Sequence, residues 1–213
     1  MERSTRKLAY KARNPEETKE KILNSAIDEF AEYGFLGARI ERIAQRSDVT
    51  MRMLYHYYKS KEYLYSVVLA HIFEQIESAE RALQASAGSP NEKMREIIEF
   101  AFNLFMRNPK FVKLAMGETF LEAGHLRRLK SLPPRHEAVA SVIRAVLEEG
   151  QTAGVFRREI DPLHLWITVY SLCWAHVASR DTLGMAATDA ATADIPAARL
   201  RHIQDVVLTF LST

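Results

Sequence analysis

The sequence predicts an all-α protein, and three observations carry that prediction. Five of the seven prolines stand where a helix would begin, four directly after Asn, Ser or Asp and the fifth one residue beyond an Asp. Apolar residues recur at helical spacing along most of the chain. No segment alternates apolar and polar residues between Asn-Gly or Asp-Gly turns, so nothing in the sequence predicts a strand or a hairpin.

These prolines predict helix starts because proline at the first helical position loses no hydrogen bond, while the preceding side-chain oxygen accepts from a free backbone N–H. The five starts are Asn14-Pro15, Ser89-Pro90, Asn108-Pro109, Asp161-Pro162 and Asp194-Ile195-Pro196. The first helix carries Ile22, Ala26 and Phe30 on one stripe, and Gly34 is predicted to end it.

Helical periodicity predicts a small head followed by a bundle. Two short helices are predicted at 40–47 and 50–58. One long helix and five others are predicted after them, at about 60–85, 91–106, 109–122, 135–150, 162–180 and 196–211. A basic, proline-containing link at 127–135 and an Ala/Thr-rich loop at 184–194 separate the later helices.

Composition sets the class of protein. The chain has 213 residues, 47% of them hydrophobic, which is enough for one large or two small cores. Its formal net charge of +2 is mildly basic, so any nucleic-acid binding must come from local clustering of charge. The single cysteine, Cys173, cannot form an intramolecular disulfide, and the sequence shows no signal peptide or membrane span. We therefore expect a cytoplasmic protein that does not bind membranes.

A helix-turn-helix pattern follows the first helix. It consists of a short helix with Ile40, Ile43 and Ala44 inward, a tight turn at 47–49 and a second helix opened by Thr50. In the second helix a core-facing stripe through Leu54 and Tyr58 leaves polar and aromatic side chains on the opposite face. That opposite face is predicted to point outward.

The outward side chains suit the major groove of DNA. The Arg52 guanidinium can pair with O6 and N7 of guanine, and Met51 and Met53 can contact thymine methyl groups. Lys59 and Lys61 stand at the start of the following helix, where phosphate contacts are favoured by the helix N-terminus. The alternative interpretation is a three-helix cap whose aromatic residues only pack.

Four motifs within 14–64 are specific when taken together. They are Phe30-Ala31-Glu32-Tyr33-Gly34-Phe35, Ile43-Ala44, Val49-Thr50 and Leu54-Tyr55-His56-Tyr57-Tyr58-Lys59-Ser60-Lys61-Glu62-Tyr63-Leu64. Together they resemble the DNA-binding domain of the TetR family of transcriptional regulators. The resemblance implies that two subunits place their second helix-turn-helix helices in successive major grooves of a palindrome-like operator.

The resemblance also implies a domain order and a set of DNA contacts. We expect a flexible basic arm at 1–13, a three-helix helix-turn-helix domain at 14–62, and a larger helical ligand-binding and dimerisation domain at 63–213. The predicted DNA-contacting residues are Arg39, Thr50, Met51, Arg52, Met53, Tyr55, His56, Tyr57 and Lys61. The arm suits contact with DNA and equally suits a solvated tail.

The sequence departs from the family pattern at three places. Arg39 stands where the family usually has a threonine that caps the second helix, and arginine caps poorly. Asp48 replaces the usual turn glycine, and aspartate tolerates the left-handed conformation at modest cost. Arg52-Met53 replaces small residues, which makes the predicted reading face bulkier and more basic.

The second half of the chain is rich in large apolar residues, a composition typical of helical bundles that hold an organic ligand. The predicted ligand-binding residues are Phe102, Asn103, Met106, Phe120, His125, Trp166, Tyr170, Trp174 and His176. For each of them, ordinary core packing is the alternative. The resemblance to the TetR family favours a pocket somewhere among them.

The last two predicted helices are more apolar than surface helices need to be. In the resembled family the final pair of helices forms a four-helix bundle with a second subunit, so we expect a homodimer through these helices. Burial within one subunit is the alternative. Asn108-Pro109-Lys110-Phe111 and the segment 149–162 also resemble the family's common regulatory domain.

The sequence predicts no metal, no cofactor and no enzymatic activity. The histidines lack the one-face spacing with carboxylates or cysteines that metal sites need. No phosphate-binding loop, nucleophile elbow or Ser/His/Asp set stands in a recognisable context. Cys173 is predicted to be a buried apolar residue.

The expected function is sequence-specific transcriptional regulation by a repressor that leaves its operator when a small organic ligand binds. Two alternatives stay open. One is a DNA-binding or nucleoid-associated helical protein without a ligand, which a solidly packed core would favour. The other is a ligand-binding or scaffolding bundle that has lost operator binding, for which the unusual Arg39 and Arg52 leave room.

Overall fold

The computed structural model describes residues 14–84, 86–128, 136–183 and 195–213. Its helices are α1 (Pro15–Gly37), α2 (Ile40–Arg46), α3 (Met51–Tyr58), α4 (Lys61–Arg81), α5 (Pro90–Arg107), α6 (Pro109–Phe120), α7 (Glu137–Thr152), α8 (Pro162–Ala178) and α9 (Ile195–Leu211), with a 3₁₀ turn at Leu126–Arg128. Within the described ranges the β-structure is an isolated bridge between Phe156 and Ser212. The all-α prediction is confirmed. The predicted basic arm, most of the basic link and the Ala/Thr-rich loop lie outside the described residues.

The chain divides into two compact units, Met1–Val68 and Leu69–Thr213, and the division falls within α4. In the first unit α2 packs against both α1 and α3. In the second unit α5 packs against α6, α7, α8 and α9. Within the described ranges, no helix combines the length and the apolar character needed to cross a membrane.

Three of the predicted proline-linked caps form as expected. The side-chain oxygens of Asn14, Ser89 and Asp161 accept from backbone N–H groups two or three residues ahead, at 3.1, 3.3 and 2.7 Å. The Glu92 carboxylate in turn accepts from the Ser89 backbone N–H at 2.8 Å, which completes a capping box. These contacts satisfy donors that an α-helix leaves free in its first turn.

The predicted cap at Asn108 is wrong. Its side chain makes no capping bond to α6, although α6 begins at Pro109 as predicted. Instead the Asn108 amide donates to the backbone oxygen of Leu104 at 2.7 Å, so it satisfies a free carbonyl at the end of α5. The Asn108 side chain therefore bonds to the first of two adjoining helices, and Pro109 at the start of the second has no backbone N–H that needs an acceptor.

The core of the first unit follows the stripe predicted for α1. Ile22, Ala26 and Phe30 are buried, and the Phe30 ring meets Tyr65 edge-on at 4.8 Å. Gly34 has a φ of +65°, a left-handed conformation that interrupts the helix where its end was predicted. The chain then makes a further turn that reaches Gly37.

Aromatic side chains dominate the core of the second unit. The buried Phe105 ring contacts Tyr170 at 4.7 Å, Trp174 at 5.6 Å and Phe111 at 6.3 Å between ring centroids. Such edge-on and offset arrangements are the favoured geometries of aromatic pairs. Since Phe105 belongs to α5, this cluster joins α5, α6 and α8.

Phe156 closes the corner that follows α7. Its ring is buried, and the backbone N–H groups of Val155 and Phe156 both donate to the Gly150 oxygen, at 2.9 and 3.1 Å. Arg157 then donates its backbone N–H to the Leu211 oxygen at 2.8 Å, which ties the corner to the end of α9. The ring lies directly against Gly150, with no room there for a side chain.

Cys173 is fully buried on α8, as predicted, and its Sγ lies 4.0 Å from the Ile98 oxygen. Burial raises the pKa of its thiol to about 12, because the thiolate would lose its hydration. We expect iodoacetamide to alkylate the native protein at pH 8 roughly a hundredfold more slowly than the urea-unfolded protein. Equal rates, followed by mass spectrometry, would show that the thiol is accessible.

Candidate nucleic-acid interface and ligand cavity

One side of the helix α3 packs against the core of the first unit. Leu54 and Tyr58 are buried, as the sequence predicted, and the Tyr58 hydroxyl donates to the Lys19 backbone oxygen at 3.0 Å. Thr50 caps the helix, its Oγ accepting from the Met53 backbone N–H at 3.2 Å. The orientation of α3 is therefore fixed by core packing and by a cap.

The other side of α3 faces away from the core of this unit. The side chains of Arg52, Tyr55 and His56 are exposed, and those of Met51, Met53 and Tyr57 are half-buried. The His56 and Tyr57 rings meet edge-on at 5.4 Å. Six of the nine predicted DNA-contacting residues thus lie on this one helix, and among them are a basic guanidinium and several hydrogen-bonding groups.

Two further predicted contacts, Thr50 and Lys61, flank this helix. Thr50 is exposed at its start, although its hydroxyl already serves as the cap. Lys61 begins α4, where its Nζ donates to the Leu36 backbone oxygen at 3.4 Å and lies 4.9 Å from the centre of the Phe35 ring. These contacts are weak enough for a phosphate to replace them.

The turn between α2 and α3 tolerates its aspartate. Asp48 has a φ of +53°, the left-handed conformation expected of the turn position that glycine usually occupies. The backbone N–H of Asp48 donates to Gln45 at 3.2 Å, and that of Val49 donates to Ala44 at 3.0 Å. The predicted survival of the turn is confirmed.

A buried glutamate replaces the missing cap of α2. Arg39, the ninth predicted DNA contact, is exposed and provides no side-chain cap, as expected. Instead Glu29 of α1, fully buried, accepts from the Arg39 backbone N–H at 2.9 Å and from Arg42 Nε at 2.7 Å through Oε1. The Arg42 guanidinium also lies 4.2 Å from the Tyr33 ring centre. A carboxylate thus stands at the positive end of α2.

Burial is the largest single influence on the Glu29 carboxyl and would raise its pKa, but it is opposed by hydrogen bonds from the Arg42 side chain and the Arg39 backbone. Together with the Arg42 charge they hold this pKa below its ordinary value. Glu29 is therefore ionised at neutral pH. Its second oxygen, Oε2, is buried without a hydrogen-bond partner in the described part of the chain.

A cavity of about 450 Å³ lies within the second unit. Its walls come from α4, α6, the 3₁₀ turn and α8, and consist of Phe73, Ala115, Met116, Thr119, Phe120, Leu126, Tyr170, Ser171 and Trp174. Three of the predicted ligand-binding residues, Phe120, Tyr170 and Trp174, line it. The volume falls within the range of about 300–1,000 Å³ that is common for pockets of small organic molecules.

The other predicted ligand-binding residues lie elsewhere in the second unit. Met106 lines a second cavity of about 330 Å³. Trp166 and Phe102 are buried, and Asn103 is half-buried; none of the three lines either cavity. Sequence reasoning identified the apolar positions of α5 and α8 correctly, but it did not separate those facing the core from those facing a cavity.

His125 and His176 have very different surroundings. The His125 ring Nδ1 lies 3.0 Å from Glu118, whose buried carboxylate also accepts from the backbone N–H groups of His125 and Leu126. His176 is buried and stacks on Phe102 at 5.2 Å, and both its ring nitrogens lack a partner among the described residues. Burial, reinforced by the charges of nearby arginines, lowers the pKa of His176, so its ring is neutral.

Sequence reasoning missed Glu29. Its signal was present, because Glu29 lies seven residues after Ile22, on the stripe that also carries Ala26 and Phe30. An acid at a core position indicates a buried partner. In the described ranges no cluster of three or more histidine, cysteine or carboxylate side chains could hold a metal ion.

Each of the two units contains a segment that matches a known protein family. Residues 22–68 match the model of bacterial regulatory proteins of the tetR family, and residues 90–207 match the tetracyclin repressor-like C-terminal domain. The HTH-type transcriptional repressor NicS of Pseudomonas putida is 33% identical over 205 residues, 96% of this chain and 97% of that protein. The HTH-type transcriptional repressor SCO4008 of Streptomyces coelicolor is 31% identical over 78% of this chain and 82% of its own.

A solved structure has the same fold. The putative transcriptional regulator SCO4942 of Streptomyces coelicolor superposes with a TM-score of 0.66 at 21% identity, covering 91% of this chain and 98% of that one. The two family models between them cover most of α1 to α9, and the relatives are named as HTH-type transcriptional repressors. The chain belongs to the TetR family of transcriptional regulators.

Proposed function

We propose that the chain is a homodimeric repressor whose α3 helices read an operator and which leaves that operator when a small organic ligand binds in the second unit. One observation carries the DNA-binding part of the proposal. The helix α3 buries Leu54 and Tyr58 and turns Arg52, Tyr55 and His56 outward, so its free face offers a guanidinium, a hydroxyl and an imidazole. These groups recognise base edges and phosphates.

The proposed DNA contacts divide into two kinds. On the exposed face of α3, Arg52 reads a guanine and Met51 and Met53 contact thymine methyl groups, while Tyr55 and His56 donate to bases or phosphates. The flanking residues position the protein on the duplex. These are Arg39, Thr50, Tyr57 and Lys61, of which Tyr57 and Lys61 bind phosphates.

Two substitutions separate base reading from phosphate binding. Arg52→Ala is expected to weaken operator binding by about 10- to 100-fold and to relax the preference at one base pair. Lys61→Ala is expected to weaken binding to all duplexes alike and to reduce the slope of log affinity against log salt by about one. Fluorescence anisotropy with operator and scrambled duplexes measures both, with the exposed Arg144→Ala of α7 as the control. Uniform weakening by Arg52→Ala would contradict its reading role.

The dimer interface is proposed on α8 and α9. Leu163 and Ile167 of α8 are 43% and 49% exposed, and Val206 and Phe210 of α9 are 45% and 50% exposed. Each pair lies four residues apart, on one face of its helix. Large apolar side chains left in water on two helices favour a matching surface on a second copy.

We expect Ile167→Glu to shift the protein from dimer to monomer, because a charge at the centre of an apolar interface loses its hydration without gaining a partner. Sedimentation velocity at micromolar concentration measures the change. Leu183→Glu, at an exposed residue outside α8 and α9, is the control and should leave the dimer intact. A dimer that persists in Ile167→Glu places the interface elsewhere.

Ligand control is proposed as a shift between two dimer arrangements, one of which matches successive major grooves about 34 Å apart. The cavity of about 450 Å³ supports a ligand, because a regulator without one needs no such space. A differential affinity of about 3 kcal/mol between the two arrangements changes operator occupancy substantially. The helix α4 carries residues of both units and is the proposed connection.

A further inference from the structure

Two cavities in the described part of the second unit are both lined by residues of α6 and α8. The larger is lined by residues of the second half of α6 and by Tyr170, Ser171 and Trp174 of α8, together with Phe73 and Leu126. The smaller is lined by residues of the first half of α6 and by the end of α8, together with Met106 of α5 and with Arg180 and Asp181 just beyond α8. The lining of the smaller cavity is Met106, Pro109, Val112, Lys113, Met116, Val177, Ala178, Arg180 and Asp181. Met116 lines both cavities, so its side chain lies between them. We call this feature the α6–α8 groove.

The two ends of the α6–α8 groove differ in chemistry. The larger cavity offers aromatic surfaces, including the Tyr170 and Trp174 rings, which lie nearly parallel at 5.8 Å, and none of its lining residues within the described ranges is charged. The smaller cavity is lined by Lys113, Arg180 and Asp181. Arg180 Nε lies 3.6 Å from Asp181 Oδ1, whereas Lys113 has no ion-pair partner within the described ranges. This end therefore carries one uncompensated positive charge.

We propose that the α6–α8 groove binds an organic anion with a flat aromatic body, its acid group at Lys113 and its ring against Tyr170 and Trp174. This assignment rests on the proposed function and names the chemical class of the regulatory ligand. The aromatic end stacks a planar ring, and the cationic end favours a carboxylate over a neutral group. Lys113 and Thr119 are six residues apart on α6, a rise of about 9 Å, so the ligand joins ring and acid through a short chain.

Met116 stands at the junction of the two cavities. Methionine is unbranched and has three rotatable side-chain bonds, so it can move aside for an elongated ligand at little cost. A rigid side chain at this position closes the connection. The variant Met116→Trp should therefore weaken binding of any compound that spans both cavities, whatever its charge.

The test uses phenylhexanoate and its neutral amide as probes, titrated by calorimetry into the full chain. We expect the acid to bind about fivefold more tightly than the amide, the gain of a partly exposed ion pair. Lys113→Gln should remove that difference and leave amide binding unchanged. The control is Lys110→Gln, on the same helix but outside both linings, which should preserve the difference. Met116→Trp should weaken both probes.

Equal binding of acid and amide, a difference that survives Lys113→Gln, or no binding of either probe overturns the assignment. Operator binding without any probe is measured on the same protein. If the protein binds its operator but shows no preference for the acid, the groove assignment is wrong and the proposed function still stands. If the protein prefers the acid but does not bind operator DNA, the groove assignment stands and the proposed function is wrong.

Discussion

Gly150→Ala should destabilise the second unit by about 3 kcal/mol, although alanine normally stabilises a helix interior relative to glycine by about 1 kcal/mol. A Cβ at residue 150 would lie 2.0 Å from Cδ2 of the Phe156 ring and 2.6 Å from two more of its atoms. The ring is buried, and the backbone N–H groups of Phe156 and Arg157 are bonded to Gly150 and to Leu211 at the end of α9, so the ring has little room to move. Urea unfolding followed by circular dichroism measures the change.

The same substitution at Gly37 is the matched control. A Cβ there meets only the Tyr33 Cβ at 3.4 Å, an ordinary contact, so Gly37→Ala should change stability by less than about 0.5 kcal/mol. Trimming the ring should relieve the clash, and Gly150→Ala combined with Phe156→Leu should cost less than the sum of the two single variants. A stabilising Gly150→Ala would show that the corner after α7 repacks freely.

Glu29→Ala should destabilise the first unit by about 2 kcal/mol at pH 7. It leaves the Arg39 backbone N–H without an acceptor and the Arg42 guanidinium without its carboxylate partner. The loss is limited because Arg42 is partly exposed and still donates to the Gly37 oxygen at 3.0 Å. Because α2 loses the carboxylate at its start, we also expect weaker operator binding at a temperature where both proteins are folded. Urea unfolding and fluorescence anisotropy measure the two effects.

The effect of Glu29→Ala should depend on pH in a defined direction. A carboxyl whose folded pKa lies below its ordinary value of 4.5 stabilises the fold above that value and loses its contribution as the pH falls through the folded pKa. The gap in stability between wild type and Glu29→Ala should therefore shrink below about pH 4.5. Glu20→Ala, on the exposed side of the same helix, should show little gap at any pH. A gap that grows on acidification would contradict the ionised state of Glu29.

Local rules predicted the helices and the recognition helix well because those features depend on neighbours in sequence. Periodicity placed Leu54 and Tyr58 inward, and the conformational tolerance of aspartate predicted the left-handed Asp48. The same rules failed at Asn108, where two helices compete for one side chain and only their packing decides which receives it. The sequence shows that the Asn108 side chain can form a hydrogen bond to either helix end, and the packing of the helices decides which one it forms.

The cavity and the buried ion pair required the fold itself. Phe120, Tyr170 and Trp174 line the cavity while Trp166, on the same helix as two of them, is fully buried. All four residues are aromatic, so residue type alone does not distinguish a side chain that lines the cavity from one that is packed in the core. Glu29 acquires its role from residues ten and thirteen positions later in the chain, brought near by the packing of α1 on α2.

The proposed function requires that the outward face of α3 reads DNA as one half of a symmetric pair. The most direct measurement is footprinting on the DNA that flanks the chain's own gene, repeated at several salt concentrations and compared with a scrambled duplex. We expect two protected half-sites about one helical turn apart, with affinity that falls as salt displaces the protein from phosphates. Protection that does not distinguish the flanking DNA from the scrambled duplex would contradict it.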